Sequence, residues 1–193
     1  SLYGTKKNIW IGTDEGIYIY AYATETFTYF DLTTPNNVRI TSIVNHILQD
    51  KDGNLWFSTN GQGLFRYNLS KNYLEQYEFT SAFGIVASTM ADSDNQIWAL
   101  TNQGESGVYK LNKAENKFEP FGLLYNAGNH HSQALAMLED SEQTLWLGTW
   151  ECGLQKIDKY TRQTTTYLHP TDGKGVTHIH SLMEYAPHQL LIG

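Results

Sequence analysis

Apolar and polar positions alternate along this chain in short runs, and the runs follow one another in a fixed order. An apolar run comes first: Ile43 to Leu48, Ile85 to Met90, Ala134 to Leu138 and Ile179 to Met183. An acidic turn follows, at 50–54, 92–95 and 140–143. A tryptophan-headed run is next, then an alternating run led by glycine: 16–20, 63–67, 107–111 and 153–157. A polar turn leads into a last run that ends in an aromatic or Leu: Phe27 to Phe30, Leu74 to Phe79, Phe118 to Phe121 and Thr164 to Leu168. Period-two alternation between Asp, Asn and Gly turns predicts β-hairpins, and no stretch sustains a helical period. The four runs are termed strands A, B, C and D of one unit.

The tryptophan phrases set the period. Trp10-Ile11-Gly12-Thr13, Trp56-Phe57-Ser58-Thr59, Trp98-Ala99-Leu100-Thr101 and Trp146-Leu147-Gly148-Thr149 stand 46, 42 and 48 residues apart, and Leu191 opens a fifth phrase 45 residues on. A repeat of 40–50 residues is the size of a four-stranded propeller blade. Helical solenoids need amphipathic helices, and leucine-rich repeats have a shorter period. WD40 blades carry Trp-Asp, whereas Ile, Phe, Ala or Leu follows Trp here.

The stretch from Asp50 through Trp56 to Tyr67 resembles the two-component regulator propeller repeat, roughly D-x-x-G-x-[IL]-W-[IL]-G-T-x-x-G-[IL]-x-x-[YF]. The resemblance runs through nearly the whole chain, in four copies and a shortened fifth. The third copy departs most, with Ala99-Leu100 and two extra residues before Gly107. The fold expected is all-β: a β-propeller of four-stranded antiparallel blades, here a partial propeller of about four and a half blades. The repeats fall at about 1–42, 43–84, 85–133, 134–178 and 179–193 of one propeller segment. The phase predicts entry at a strand B and exit at a strand B. A small four-bladed ring with an overhang, or two chains pairing their open edges, are the other arrangements.

The resemblance implies the periplasmic sensor region of a hybrid two-component system of the kind found in gut Bacteroidetes. There, propeller blades precede an Ig-like domain, a membrane span, a histidine kinase and a response regulator, and the usual ligands are oligosaccharides. It therefore implies ligand recognition without catalysis in this segment. Its partners would be an oligosaccharide, the remaining blades and downstream domains of the parent chain, and in a dimer a second copy.

Composition narrows the partners. The chain has 193 residues, 13% of them aromatic, and a formal charge of −7. Lys and Arg do not cluster, so neither nucleic acid nor an anionic membrane surface is an expected partner. Cys152 is the lone cysteine, which excludes an internal disulfide and a cysteine-based zinc site. No apolar run approaches the roughly 20 residues of a membrane helix, and no signal peptide is present.

Candidate chemistry concentrates in the loops. Strands alternate direction, so the D-to-A and B-to-C loops share one face, the top. Asp50-x-Asp52-x-Asn54 begins like a calcium loop, but Leu55 and Gly61 stand where an EF-hand needs Gly and Glu. These acidic residues read as turn formers, and the repeated tryptophans as core that fills the space between blades.

Trp150 is the one Trp outside the repeat position. Asp14 and Asn60 hold the matching B-to-C loop sites. An indole there either stacks on the C–H face of a pyranose, with Glu151 accepting sugar hydroxyls, or packs on a neighbouring loop or domain. Asn129, His130 and His131, with Tyr125 and Asn126, lie in the D-to-A loop that enters the same blade. They are expected to approach Trp150 and Glu151 as ligand contacts or as ordinary loop. His178 and His180 alternate onto one face of a strand A, a spacing that binds zinc only with further ligands, so they read as solvated or hydrogen-bonded histidines lining the channel. No metal site and no cofactor are implied. The 103–107 loop lacks the Lys and helix of a phosphate loop, and Cys152 has no basic activator.

No nucleophile motif occurs. Glu105 and Glu151, in top loops of adjacent blades, would suit a glycan lyase or hydrolase only at a carboxylate separation of about 5–10 Å. Three functions thus compete: an oligosaccharide-sensing module, a structural or protein-interaction propeller with Trp150 in an interface, and a propeller-type glycan lyase or hydrolase.

Overall fold

A computed structural model describes residues 1–79, 84–101, 107–123, 133–168 and 178–193. The expected site residues Asn129, His130 and His131, along with Glu105, Tyr125, Asn126 and the 103–106 stretch, lie outside the described residues. Among the described residues every regular element is a β-strand.

The first sheet contains β1 (Leu2–Gly4), β2 (Asn8–Thr13), β3 (Gly16–Ala21) and β4 (Thr26–Tyr29), in that order. The second contains β5 (Val44–Gln49), β6 (Leu55–Thr59), β7 (Leu64–Asn68) and β8 (Tyr73–Tyr77). The third contains β9 (Val86–Ala91), β10 (Ile97–Thr101), β11 (Gly107–Asn112) and β12 (Lys117–Leu123). The fourth contains β13 (Ala134–Glu139), β14 (Leu145–Thr149), β15 (Leu154–Ile157) and β16 (Thr164–Tyr167), and β17 (Leu182–Ala186) pairs with β18 (Gln189–Ile192). Four sheets of four strands and one of two make four and a half blades.

Two details correct the expected phase. Leu2–Gly4 pairs antiparallel with β2, Tyr3 opposite Trp10, so the first sheet has a strand A of its own. Three residues without an apolar run or acidic turn leave no sequence signal for it. The apolar stretch expected to start a strand at Ile179 enters the ladder only at Leu182. The chain divides into two compact units, Ser1–Ala91 and Asp92–Gly193.

The acidic turns do more than reverse the chain. Asp50 accepts the Asn54 backbone N–H at 2.9 Å and the Trp56 indole N–H at 2.7 Å. Asp92 accepts the Gln96 backbone N–H at 2.8 Å and the Trp98 indole at 3.0 Å; Asp140 accepts the Thr144 N–H at 2.9 Å and the Trp146 indole at 2.6 Å. One carboxylate thus closes the A-to-B turn and satisfies an indole donor that is costly to bury unpaired. The first sheet has Gly4 in that place, and the Thr5 hydroxyl closes its turn on Asn8.

The Trp phrase ends in Thr for a similar reason. The hydroxyls of Thr13, Thr59 and Thr149 donate to the carbonyls of Gly16, Gly63 and Gly153 at 2.7–3.0 Å. A side chain cannot replace Gly63, whose φ is +76° and whose added Cβ would lie 2.3 Å from the Tyr77 carbonyl.

In the first unit the core gathers Trp10, Phe30, Phe57 and Phe65 with Ile17, Ile47 and Leu74. Trp10 stands edge-on to Phe30 at 5.5 Å and 5.8 Å from Phe57, spacings that favour tilted aromatic contacts. Trp56 and Trp98 are fully buried. Trp146 is half-buried instead of core, because its neighbour is the two-stranded sheet, of which Leu190 and Ile192 line a cleft beside it.

The second unit adds a polar interlock. Ser93 in one turn gives its backbone N–H and hydroxyl to Glu139, and Ser141 in the next gives the same pair to Glu184. Lys159, its side chain 3% exposed, reaches Glu139 at 2.7 Å, Asp94 at 2.8 Å and Asp92 at 3.6 Å. Burial alone would lower the pKa of this ammonium. Hydrogen bonds to Asp94 and Glu139 and the charges of Asp92 and Glu139 outweigh that and raise it above the ordinary lysine value.

Two outcomes follow for stability. Asp92→Ala orphans the buried Trp98 indole and removes one of the charges facing Lys159, and is expected to cost about 3 kcal/mol in chemical denaturation. His46 on β5 is half-buried and its Nδ1 accepts the Thr89 backbone N–H at 3.4 Å, a role only the neutral ring fills. Burial, and then the charge of the chain's amino terminus, lower its pKa below 6.5. The unfolded chain binds this proton more tightly, so the contribution is complete above pH 6.5 and is lost as pH falls through the folded value. Melting curves of His46→Gln should show a smaller loss between pH 7.5 and 5.5 than those of the parent.

Candidate functional site

The site grows from the end of the fourth Trp phrase. Thr149 anchors the B-to-C loop, its hydroxyl accepting the Cys152 N–H at 3.0 Å while donating to Gly153. Gly148 permits a close approach: a Cβ there would lie 2.6 Å from Ile179 Cγ2 and 2.7 Å from the Ile179 carbonyl. The segment at Ile179 is therefore drawn against β14, and the Ile179 N–H donates to the Thr149 carbonyl at 3.1 Å.

Trp150 is the next residue. Its N–H donates to the Gln133 carbonyl at 2.9 Å, and its backbone bridges antiparallel to His178. Asn60 does the same in the second sheet, donating to Ile43 and bridging to Ile85. Trp150 thus occupies a fixed backbone position of the repeat with a side chain foreign to it.

That side chain is 40% exposed. Its ring stands edge-on to the His178 imidazole at 3.7 Å between centroids and lies 6.1 Å from the His180 ring. The two imidazoles lie 25° from parallel, 6.4 Å apart. His178 is half-buried and His180 exposed, its N–H donating to the Gly193 carbonyl at 2.7 Å. Glu151 is exposed, with φ of +71°, a left-handed conformation that side chains adopt at some cost. Cys152 is buried beneath the loop.

Trp150 and Glu151 are thus placed together. Gln133, the first described residue after the D-to-A loop, touches Trp150 through its carbonyl, while Asn129, His130 and His131 lie outside the described residues. The partners that sequence reasoning missed are His178 and His180, which it treated as an isolated pair. A signal was available: Ile85 stands opposite Asn60 of the second repeat as His178 stands opposite Trp150 of the fourth. Among the described residues no group of three His, Cys, Asp or Glu could hold a metal ion. A partly exposed indole beside two imidazoles, with the exposed Glu151 next in sequence, is chemically able to stack and to exchange hydrogen bonds.

Comparison with known proteins bears on the fold and on the repeat. Residues 37–61 match the family model for the two component regulator propeller. Residues 37–61 thus resemble one copy of the two-component regulator propeller repeat. Its structure resembles the extracellular domain of the putative hybrid two component system BT4673 from B. thetaiotaomicron, with a TM-score of 0.78 and 22% identity over 100% of this chain and 24% of that one. It resembles the β-propeller domain of Cps50 (Swd1) from Myceliophteria thermophila with a TM-score of 0.69 and 12% identity, covering 96% of this chain and 60% of the other. A catalytically inactive virginiamycin B lyase from Staphylococcus aureus with quinupristin gives 0.73 and 15%, covering 99% and 61%. Compared by sequence with curated proteins, the chain matches none. The fold is a β-propeller, and the chain spans about a quarter of the BT4673 extracellular domain.

Gly148→Ala tests the close approach that builds the site. A Cβ must displace Ile179 and with it the His178–His180 segment, so the melting point should fall by the equivalent of about 1–3 kcal/mol. The same change at the open Gly53, which takes φ of +82° but has no atom near its Cβ position, should cost less.

Proposed function

We propose that this chain is the ligand-recognising propeller segment of a periplasmic hybrid two-component sensor and that its ligand is an oligosaccharide. Support for the sensor class comes from the repeat at 37–61 and from likeness to the extracellular domain of a putative hybrid two component system. Support for a saccharide comes from one observation, the exposed Trp150 ring held edge-on to His178. An aromatic face in contact with water attracts the C–H face of a pyranose, and adjacent polar groups read its hydroxyls.

In this reading Trp150 is the platform. Glu151, His178 and His180 supply hydrogen bonds, and Asn129, His130 and His131 complete the rim from the D-to-A loop. The ligand is recognised without chemistry. Binding biases how the parent protein's propellers and subunits pack, and so its downstream kinase, by favouring one of two states.

Titration calorimetry with a panel of glycan-derived oligosaccharides tests the reading. One member should bind, and Trp150→Ala should weaken it roughly tenfold or more, with Glu151→Gln losing less. A Trp150→Ala change that shifts oligomeric state and leaves the titration unaltered would place the indole in a protein interface. New reducing ends released from the panel by the intact protein would make it an enzyme.

A further inference from the structure

The fourth sheet has a second unusual feature, at the end of β15 away from Trp150. A cleft of about 350 Å³ opens between the outer strands of the third sheet and the turn that follows β15. Three cations line it: Lys110 on β11, Lys113 in the turn after β11 and Arg162 in the turn after β15. Glu119 is the one carboxylate on its wall. Three positive charges against one negative is a local excess in a chain of formal charge −7.

Two of the cations rest against rings. Lys110 Nζ lies 5.2 Å from the Trp98 ring centroid, and the Arg162 guanidinium carbon 5.0 Å from that of Phe121. Trp98 and Phe121 meet edge to face at 4.8 Å, so both cations rest on one aromatic pair. Asp158 fixes the turn that carries Arg162 by accepting the N–H groups of Tyr160 and Thr161 at 2.8 and 2.9 Å.

The second sheet shows what a neutralised version looks like. Arg66 holds the same position over Trp56, 5.6 Å from its ring, and there Glu75, its cross-strand neighbour, pairs with it at 2.5 Å. In the third sheet the cross-strand neighbour of Lys110 is Glu119, whose carboxylate takes the Asn112 side-chain amide at 2.9 Å. Among the described residues no carboxylate lies within 4 Å of the charged groups of Lys110, Lys113 or Arg162.

We propose that this cleft binds an anionic group, a carboxylate, sulfate or phosphate, with Arg162 and Lys113 as direct contacts and Lys110 as the charge beneath. A planar guanidinium matches two oxygens of such a group, and ammonium groups add charge without fixed geometry. The site uses none of the Trp150 residues and stands or falls apart from them. An acidic sugar and a free oxyanion present the same chemistry.

Nuclear magnetic resonance of the protein tests this through the Trp98 indole N–H and the Arg162 side-chain N–H signals. Sodium glucuronate, inorganic phosphate, glucose and sodium chloride are titrated at constant ionic strength. Saturable shifts with glucuronate or phosphate, and none with glucose or chloride, are expected. The Lys113→Gln/Arg162→Gln double variant, both positions being exposed, should bind about tenfold more weakly or not at all. Tighter binding of glucuronate identifies an acidic sugar, tighter binding of phosphate a free oxyanion. No shifts with either anion, or shifts unchanged in the double variant, overturn the proposal.

Discussion

The carboxylate six residues ahead of Trp56, Trp98 and Trp146 is the contact on which the repeat turns. A large indole fills space well but carries a donor that must be paired once water is gone. Asp50, Asp92 and Asp140 pair it from inside the same unit through Oδ2, and with Oδ1 close the turn that feeds strand B. The turn and the core are therefore one device. A unit built this way needs no outside donor or acceptor to settle its indole, so it can be repeated with little change. The threonine and glycine that end the phrase act alike at the other end of the strand, pinning the loop and admitting the neighbouring strand.

What differs between copies is how neighbours recognise each other. The first unit relies on aromatic contacts and on neutral bonds such as Tyr3 to Gln49 and Asn45 to the Val86 carbonyl. The second uses charge, with Ser93 on Glu139, Ser141 on Glu184, and Lys159 among three carboxylates. Burying such a cluster gains little net stability, because desolvation offsets the attraction. It does penalise mispairing, since a wrong neighbour would leave a buried charge unmatched. Near-identical repeats need such discrimination, because their apolar faces alone are interchangeable.

The fold was legible because it is local. Spacing of Trp10, Trp56, Trp98 and Trp146 predicted the sheets, and alternation predicted the hairpins. Contacts made at a distance were not legible. The three-residue strand at Leu2 has no pattern of its own and exists only because β2 offers it an edge. The turn aspartates read as turn formers, and nothing local showed that they also reach an indole. In the site, Trp150 stood out as an exception to the repeat and is exposed as expected. Its contact with His178 joins residues 28 positions apart, across a bridge that only the equivalence of Asn60 and Ile85 foreshadows.

The same contrast explains where function can reside in such a chain. Positions that hold the blade together are shared between copies and leave no freedom for chemistry. The indole argued to meet a ligand is a place where one copy breaks from the rest, standing where Asp14 or Asn60 stands elsewhere, whereas the cation over Trp98, like Lys156 over Trp146, lacks among the described residues the close carboxylate that Glu75 gives Arg66. Trp150 and Arg162 lie beyond opposite ends of β15, a strand fixed on both sides by ladder bonds. A four-residue strand held so firmly transmits little motion along itself. Occupancy at either end would therefore be felt through the loops and turns that touch neighbouring strands, His178 at one end and Arg162 over Phe121 at the other, and not through the sheet that separates them.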